Sequence, residues 1–339
     1  MGRGQGTGDA AGRDLKPSSS EDFLVEADEN VRLDLFVASA AELSRTQAAT
    51  LIANDNVTVN EKREKASYRV ERGDNIRVQR PELLERQIVA ESIALSIIHE
   101  DDDLLVVDKP AGMVVHPAPG NWTGTLVNAL MGREGDLAET GDPTRAGIVH
   151  RLDKETSGLL VVAKNEAAHR KLSRDLAART VIRRYAVMSW GHLDDDRITI
   201  ERPVARDPRD RKRMAVVATG KEARTDLVRL ARFHSGDFLR AHLHTGRTHQ
   251  IRVHLASAGH PVMGDDAYGG GGGRRLVGLP AKRHFLHAAW LRFSHPITGD
   301  PVDLRSTLPP DLRASLAAIN DDAMDLGDNP LETLGFFNE

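Results

Sequence analysis

The sequence contains no cysteine among its 339 residues. This absence excludes disulfide bonds, thiolate zinc sites, iron–sulfur clusters and a cysteine nucleophile. Aromatic residues are scarce at 4%, whereas 40% of the residues are hydrophobic and 28% are charged, as in ordinary soluble globular proteins. The composition therefore excludes collagen-like, disulfide-stapled and wholly disordered chains.

Long apolar runs are missing as well. No stretch approaches the 18 consecutive apolar residues that predict a membrane-spanning helix. The first 22 residues are polar and lack the apolar core of a signal peptide. We therefore expect a cytoplasmic protein without membrane contact. We also expect a monomer, because no apolar heptad stripe indicates a partner helix.

The net charge of −4 is unevenly distributed along the chain. Residues 1–30 carry seven acidic and three basic side chains, and residues 321–339 carry six acidic and no basic ones. The residues between them, 31–320, therefore have an excess of six positive charges. Such a basic body suits a polyanionic partner, although charge alone does not establish one.

Composition divides the chain into five parts. Residues 1–30 are polar and aperiodic and are predicted to form a disordered arm. Residues 31–80 combine helix and strand patterns and predict a small α/β module. A charged linker at 81–94 and an acidic tail at 321–339 flank a large domain at 95–320. Many short strands with few helices predict that the large domain is α+β, with a mixed, mostly antiparallel sheet and flanking helices.

A dense polar cluster at 147–157 directly precedes an apolar strand. Asp153 stands near the basic residues Arg151 and Lys154, whose positive charge lowers the pKa of a carboxyl group and keeps it ionised. A positioned carboxylate can act as a nucleophile or as a base. A solvated turn with local ion pairs is the alternative.

Four histidines lie close together in the C-terminal half of the large domain. His242 and His244 share one face of a predicted strand, and His249 and His254 in or beside the next helix could add metal ligands. The spacing is not that of a zinc helix, so we predict no metal site. Arg252, on that helix, could instead pair with a carboxylate, unless it is simply an exposed helix residue.

Two further segments could contact nucleic acid. Tyr185 opens a strand after Arg183 and Arg184, where its ring could stack on a base, although packing in the core is the alternative. The basic segment 202–214 contains proline and many charges, which predicts a protruding loop or hairpin that can bind phosphates. Solvated charge is an equal alternative for this segment.

Taken together, the motifs resemble one family. Residues 143–164, PTRAGIVHRLDKETSGLLVVAK, are similar to the signature of RluA-type RNA pseudouridine synthases. Three more segments agree with the family in order: 108–117, the pair Arg184-Tyr185, and 245–254. Residues 31–80 resemble the small RNA-binding module of ribosomal protein S-four.

This resemblance implies that the protein isomerises uridine to pseudouridine in RNA without a cofactor. The reaction cleaves the glycosidic bond, rotates the uracil and rejoins it through carbon 5. Asp153 is implied as the essential carboxylate, Arg252 as its partner, and Tyr185 as the residue that stacks on the uracil and helps to remove the carbon 5 proton. The target base must leave its stack to be reached.

The resemblance also implies how RNA is bound. Arg151 would fill the space of the flipped nucleotide or bind phosphate. The other implied RNA contacts are basic side chains of the N-terminal module, the basic segment and the arginine motif: Arg32, Arg45, Lys62, Arg209, Arg211, Lys212, Arg213 and Arg247. Within the family, the pattern looks most like members that act on helix 69 of 23S rRNA in the large ribosomal subunit or its precursor. Other 23S rRNA sites, tRNA, a non-catalytic rRNA-binding assembly factor and a metal-dependent hydrolase are the alternatives.

Overall fold

The structure is a computed structural model that describes residues 17–26, 30–81, 88–118, 120–133, 137–138, 145–271, 278–320 and 324–339. The chain divides into two compact units, Met1–Gln87 and Ile88–Glu339. In the described ranges, no helix combines the length and apolar character needed to cross a bilayer.

The first unit packs two helices against a three-stranded antiparallel sheet. Its elements are β1 (Pro17–Leu24), α1 (Leu33–Ala40), α2 (Arg45–Ala53), β2 (Val57–Val59) and β3 (Asn75–Pro81). The strand order is β1-β3-β2. Helix α2 begins at a capping box, in which Ser44 and Gln47 exchange side-chain-to-backbone hydrogen bonds. The buried side of the unit is aliphatic and includes Leu33, Ile52 and Ile76.

The prediction of a disordered arm at 1–30 is wrong for Pro17–Leu24, which forms strand β1 along β3. Val25, just beyond the strand, is buried in the core of the unit. The composition misleads here because β1 is an edge strand, stabilised by backbone pairing and by cross-strand ion pairs such as Asp22 with Arg77 at 2.8 Å. Such a strand needs few apolar residues. Residues 1–16 of the predicted arm lie outside the described residues.

The second unit is built on a nine-stranded sheet. Its strands are β4 (Ser96–Glu100), β5 (Leu104–Lys109), β6 (Ser157–Ala163), β7 (Ile182–Trp190), β8 (Arg197–Glu201), β11 (Arg224–Phe233), β12 (Gly236–Leu243), β13 (Leu286–Ser294) and β14 (Pro301–Arg305). The order is β4-β5-β6-β13-β7-β12-β11-β8, and β14 pairs with β13. Strands β6 and β13 are parallel, and the other neighbours described are antiparallel. The predicted mixed, mostly antiparallel sheet is confirmed.

Helices cover both faces of this sheet, because alternate residues of a strand point to opposite sides. The helices are α3 (Leu126–Met131), α4 (Glu166–Ala177), α5 (Gln250–Ser257), α6 (Pro310–Asn320) and α7 (Pro330–Thr333). In β7, Tyr185 and Val187 pack with α3 and α5, whereas Ala186 and Met188 pack with α6 and α7. Helix α4 covers β5 and β6 on the side opposite α3.

The basic segment 202–214 forms a hairpin, as predicted. Strands β9 (Val204–Arg206) and β10 (Met214–Val216) pair antiparallel as a separate two-stranded sheet. Asp207 and Asp210 accept backbone N–H groups inside the turn, which fixes its shape. The turn therefore displays its basic side chains from a defined backbone.

The predicted boundary between the large domain and an acidic tail at 321–339 is also wrong. Leu331 and Phe336 are fully buried, in the same core cluster as Trp290 and Leu312. Arg240 donates hydrogen bonds to the carbonyl oxygens of the last turn, at 2.9 Å for Phe336. The acidic content of 321–339 predicted a tail, but a few apolar residues in this segment complete the core on this face of the sheet.

We predict that Phe336→Ala lowers the free energy of unfolding of the second unit by about 3–5 kcal/mol, since it leaves a cavity in a closed core. Urea unfolding followed by circular dichroism measures the change. Ile297→Ala, at a side chain that is 51% exposed, should cost less than about 0.5 kcal/mol. Equal effects of the two substitutions would show that the C-terminal segment does not belong to the core.

Candidate active site

Asp153 lies in a loop that leads into strand β6. The neighbouring Lys154 carbonyl accepts hydrogen bonds from the backbone N–H of Gly112 at 2.9 Å and from Nζ of Lys109 at 3.2 Å. Lys109 is fully buried and donates to two further carbonyl oxygens. These bonds hold the backbone beside Asp153 in one position.

Position 158, the glycine of the Thr-Ser-Gly part of the same motif, has no room for a side chain. A Cβ atom at Gly158 would lie 2.3 Å from the carbonyl oxygen of Ala288 on β13, and its φ of +112° favours glycine. The close approach brings Ser157 within 2.9 Å of Nδ1 of His287. The loop that carries Asp153 is thus anchored by the parallel pair at the centre of the sheet.

Arg252, on α5, connects Asp153 to a second carboxylate. Its Nη1 donates to Oδ2 of Asp153 at 3.0 Å. Its Nε and Nη2 donate to the two oxygens of Asp265 at 2.7 and 2.9 Å, a bidentate pair that fixes the guanidinium plane. Arg252 and Asp265 are both buried, whereas Asp153 remains partly open to the cleft. The structure therefore brings together Asp153 and Arg252, which are 99 residues apart.

The surroundings keep Asp153 ionised. Burial opposes ionisation, but the positive charge of protonated His249, the charge of Arg252 and the hydrogen bond from Arg252 outweigh it, so the pKa of Asp153 lies below its ordinary value. Burial also lowers the pKa of His249. That imidazole is therefore neutral at neutral pH, so its charge favours the ionised Asp153 only in more acidic solution, where the ring is protonated. Arg252 is the partner whose charge is permanent.

His249 and Tyr268 form a second layer behind the carboxylate. The phenolic oxygen of Tyr268 accepts the backbone N–H of Met214 at 2.9 Å and lies 2.8 Å from Nδ1 of His249. If the phenol donates to Nδ1, the ring proton is on Nε2, which faces Oδ1 of Asp153 at 3.9 Å. His249 adopts a left-handed φ of +56°, a conformation uncommon for a side-chain-bearing residue.

Tyr185 faces the same cleft from β7. The residue is 4% exposed, and the cleft is lined by Asp153, Arg252 and a set of apolar side chains, namely Leu152, Leu243, Ile251 and Leu286. Burial raises the pKa of Tyr185, although the positive charge of Arg183 opposes this effect. The phenol therefore keeps its proton at neutral pH.

The predicted RNA contacts fall in three places. Arg151 and Arg247 line the cleft beside Asp153. Three residues at the hairpin turn are exposed: Arg209, Arg211 and Lys212. Arg213 differs from them, because its guanidinium lies 5.0 Å from the centre of the Tyr268 ring and is half-buried.

The basic residues of the first unit are also at its surface. Arg32 and Arg45 both donate to the buried carboxylate of Asp34, at 2.9 and 3.1 Å, and Lys62 is exposed. One carboxylate neutralises only one of the two guanidinium groups. This part of the unit therefore keeps a positive charge that can face phosphates.

The four histidines do not converge on one point. His242 and His244 approach Asp226, and the three side chains offer ligand atoms within 4.8 Å of one another. Asp226 is already paired with Arg224 at 3.1 Å and with His244 at 2.6 Å. His254 is buried and bonded to Thr225, and His249 belongs to the cleft.

Two residues beside the cleft were not predicted from the sequence, namely Asp265 and Tyr268. Both follow α5, near Gly264, where a Cβ atom would lie 2.4 Å from the carbonyl oxygen of Arg283 and φ is +80°. A glycine followed by an acidic residue can signal a tight turn that presents a carboxylate. Their partners could not be read from the sequence, because the contacts with Arg252 and His249 depend on tertiary packing.

Comparisons with known proteins agree on one family. Residues 103–257 match the family described as RNA pseudouridylate synthase, and residues 31–76 match the S4 domain. An uncharacterised RNA pseudouridine synthase of Bacillus subtilis is 44% identical over 288 residues, covering 85% of this chain and 93% of that protein.

Two further relatives support this match. Ribosomal large subunit pseudouridine synthase D of Nitrosomonas europaea is 44% identical over 296 residues, covering 85% of this chain and 84% of that protein. The structure of human RNA Pseudouridylate Synthase Domain Containing 1 is 30% identical with a TM-score of 0.53. That match covers 67% of this chain and 89% of the human one.

We predict that Arg252→Met raises the pKa of Asp153, since burial remains while the charge and the hydrogen bond of Arg252 are lost. A carbon-13 NMR titration of the aspartate carboxyl groups measures this pKa. Arg313→Met, on the exposed side of α6, serves as the control and should leave it unchanged. A pKa of Asp153 that stays low in Arg252→Met would show that other groups keep the carboxylate ionised.

Proposed function

Because the chain belongs to the RNA pseudouridine synthase family, we propose that Asp153 is its essential carboxylate and that 23S rRNA is its substrate. The enzyme isomerises uridine to pseudouridine in RNA. The observation that carries the proposal for Asp153 is its ion pair with Arg252 at 3.0 Å, in a cleft that also contains Tyr185.

The chemistry requires an ionised carboxylate. Isomerisation breaks the bond between N1 and C1′, forms a bond between C5 and C1′, removes the proton from C5 and protonates N1. Three steps fit the carboxylate of Asp153: attack on C1′, attack on the uracil ring, or removal of the 2′ proton. Each of these steps uses the carboxylate form, which the charge of Arg252 stabilises at neutral pH.

Tyr185 is proposed to stack on the target uracil. Its ring is held by packing in β7, so the base meets a rigid apolar face. Since burial raises the pKa of Tyr185, the phenol cannot accept the C5 proton unless it releases its own. We propose that late in the reaction, after the uracil has turned, the phenol gives its own proton to solvent water as it takes up the C5 proton, while N1 takes a proton from water.

The substrate proposal rests on the RNA-binding module and on relatives. The chain contains an S4 domain at 31–76, and relatives at 42–44% identity are named ribosomal large subunit pseudouridine synthase D. Within 23S rRNA, we propose the stem-loop helix 69, since a loop offers unpaired bases that can be flipped into a cleft. Other 23S rRNA sites and tRNA are the alternatives that the experiment separates.

We predict that Asp153→Asn abolishes turnover and leaves RNA affinity within about threefold of the wild type, because the change removes one charge and keeps the side-chain shape. Release of tritium from uridine labelled at carbon 5 measures turnover, and fluorescence anisotropy measures binding. The substrates are a helix 69 stem-loop, other 23S rRNA fragments and total tRNA.

The outcomes of this assay are distinct. Release by wild-type enzyme from the stem-loop alone supports the proposed substrate, and release from tRNA alone contradicts it. Substantial release by Asp153→Asn removes Asp153 from the mechanism whichever RNA is used. Asp226→Asn, which alters an ionised carboxylate outside the cleft, is the matched control and should keep its activity.

We further predict that Arg211→Gln weakens RNA binding and lowers its salt dependence, because the hairpin turn is proposed to contact phosphates. Each lost phosphate contact should reduce the slope of log affinity against log salt by roughly 0.7–0.9. Binding titrations between low and moderate salt measure the slope. Arg313→Gln, on the opposite face of the sheet, should leave it unchanged, and equal slopes for wild type and Arg211→Gln would contradict the proposed contact.

A further inference from the structure

Arg183 is a buried arginine without an acidic partner. It lies on β7, two residues before Tyr185 and on the same face of the strand, and only 7% of its surface is exposed. Its Nε atom is buried and has no hydrogen-bond acceptor among the residues that the structure describes. In the same part of the chain, no carboxylate lies within ion-pair distance of its guanidinium.

Two other buried arginines have the carboxylate partners that Arg183 lacks in the described part of the chain. Arg252 is paired with Asp153 and Asp265, and Arg283 is paired with Asp311 at 2.9 Å and with backbone carbonyl groups. A buried guanidinium without such partners is costly, because it loses its hydration and gains nothing in return. Arg183 therefore carries a cost that an external anion would relieve.

Arg183 stands where the catalytic cleft meets a second cleft. The second cleft is also lined by Arg151, His150 and Gly246, together with His116 and Arg145. The two clefts share Arg151, Arg183 and Gly246. All charged or titratable side chains that are described as lining the second cleft are basic, so it favours an anionic ligand.

His150 adds a second donor that lacks an acceptor. Its Nε2 accepts the backbone N–H of Val161 at 3.2 Å, and burial lowers its pKa to about 3, with the charge of Arg183 contributing. The ring is therefore neutral and its proton is on Nδ1. In the described residues, this buried Nδ1 has no acceptor either. Arg183 and His150 thus add two incompletely hydrogen-bonded side chains to the wall of a cleft whose charged lining is basic, and such a lining favours a phosphate group.

We propose that Arg183, with His150, binds a phosphodiester group adjoining the target uridine, and that the second cleft takes the neighbouring nucleotide of the strand. This inference rests on the proposed function, because it names the substrate group that the site holds. Arg183 and Tyr185 are two residues apart on a rigid strand, about 7 Å along it. That spacing lets one strand hold the base and the backbone of a single nucleotide.

The test combines a change in the protein with a change in the RNA. Arg183→Gln and Arg183→Lys are compared with wild type on an RNA that the wild type modifies, identified by mapping pseudouridine in cells with and without the gene. A single charge-neutral methylphosphonate replaces the phosphate on the 5′ or the 3′ side of the target. Single-turnover kinetics separate the apparent affinity from the rate of the chemical step.

We expect one of the two neutral linkages to weaken the apparent affinity of the wild type about 10- to 100-fold. On RNA with all its natural phosphates, Arg183→Gln should lose apparent affinity by a similar factor. Introducing the neutral linkage should then weaken the affinity of Arg183→Gln little further. Arg184→Gln is the matched control, because Arg184 lies on the opposite face of β7, over the ring of Trp290, and it should keep full sensitivity to the linkage. Equal sensitivity of Arg183→Gln and wild type to both linkages would overturn the proposal.

Stability gives a second readout. Arg183→Gln should be at least as stable as the wild type without RNA, whereas Arg283→Gln should be less stable, because only the latter breaks a buried ion pair. Thermal unfolding measures both. A marked loss of stability in Arg183→Gln would show that Arg183 serves the fold and would contradict the proposed role.

A third measurement separates this inference from the proposed function. If the wild type modifies no RNA, the proposed function fails. Phosphate binding is then measured by NMR of the arginine Nε–H signals, during titration with uridine, uridine 5′-monophosphate or uridine 3′-monophosphate. The Arg183 signal should shift with at least one nucleotide at a concentration where uridine has no effect. Equal responses to uridine and both nucleotides would overturn the inference.

Discussion

The site depends on one buried guanidinium held between two carboxylates. Asp265 takes two of the donors of Arg252 and fixes the plane of the group, so that a third donor meets Asp153 at 3.0 Å. Asp265 is 1% exposed and Asp153 is open to the cleft, so the pair at Asp265 is enclosed and the pair at Asp153 faces the cleft. Arg252 opposes the effect of burial, which favours the neutral form of Asp153, and the proposed role of Asp153 requires the ionised form.

The sheet supplies the rigidity that this arrangement needs. Loop and helix meet over its centre: Asp153 comes from the loop that enters β6, Tyr185 lies on β7, and Arg252 lies on α5, which packs on the same face. The close pairing of β6 with β13 at Gly158 anchors the loop. The groups that line the cleft are thus fixed by buried packing, and such fixed groups limit the entropy lost when a ligand binds.

The buried arginines around the central strands differ in whether they have acidic partners. Arg252 and Arg283 have carboxylate partners, and both hold segments of the chain together. Arg183 is equally buried but has no such partner among the described residues, and it lies between two clefts. An unpaired buried cation is retained at a cost to stability, which is consistent with a group reserved for an anionic substrate.

The sequence by itself determined the local elements and the motif residues. The capping residue Ser44, the apolar runs of β5 and β7 and the turn residues of the 202–214 hairpin act over a few neighbours, so their patterns predict α2, the sheet and the hairpin. The motif around Asp153 and the arginine motif at Arg252 were recognisable as units. Their pairing agreed with what the family resemblance implied.

Only the tertiary structure decided which distant groups meet. Strand β1 is polar and forms because β3 offers it backbone partners, and Leu331 and Phe336 are buried because α6 and β13 leave an apolar surface to cover. The partners of Arg252 and His249, and the lack of one for Arg183, follow from the same packing. Hydrogen bonds and ion pairs between residues tens of positions apart depend on the folded geometry. Local sequence patterns extend over only a few neighbours and therefore do not predict these contacts.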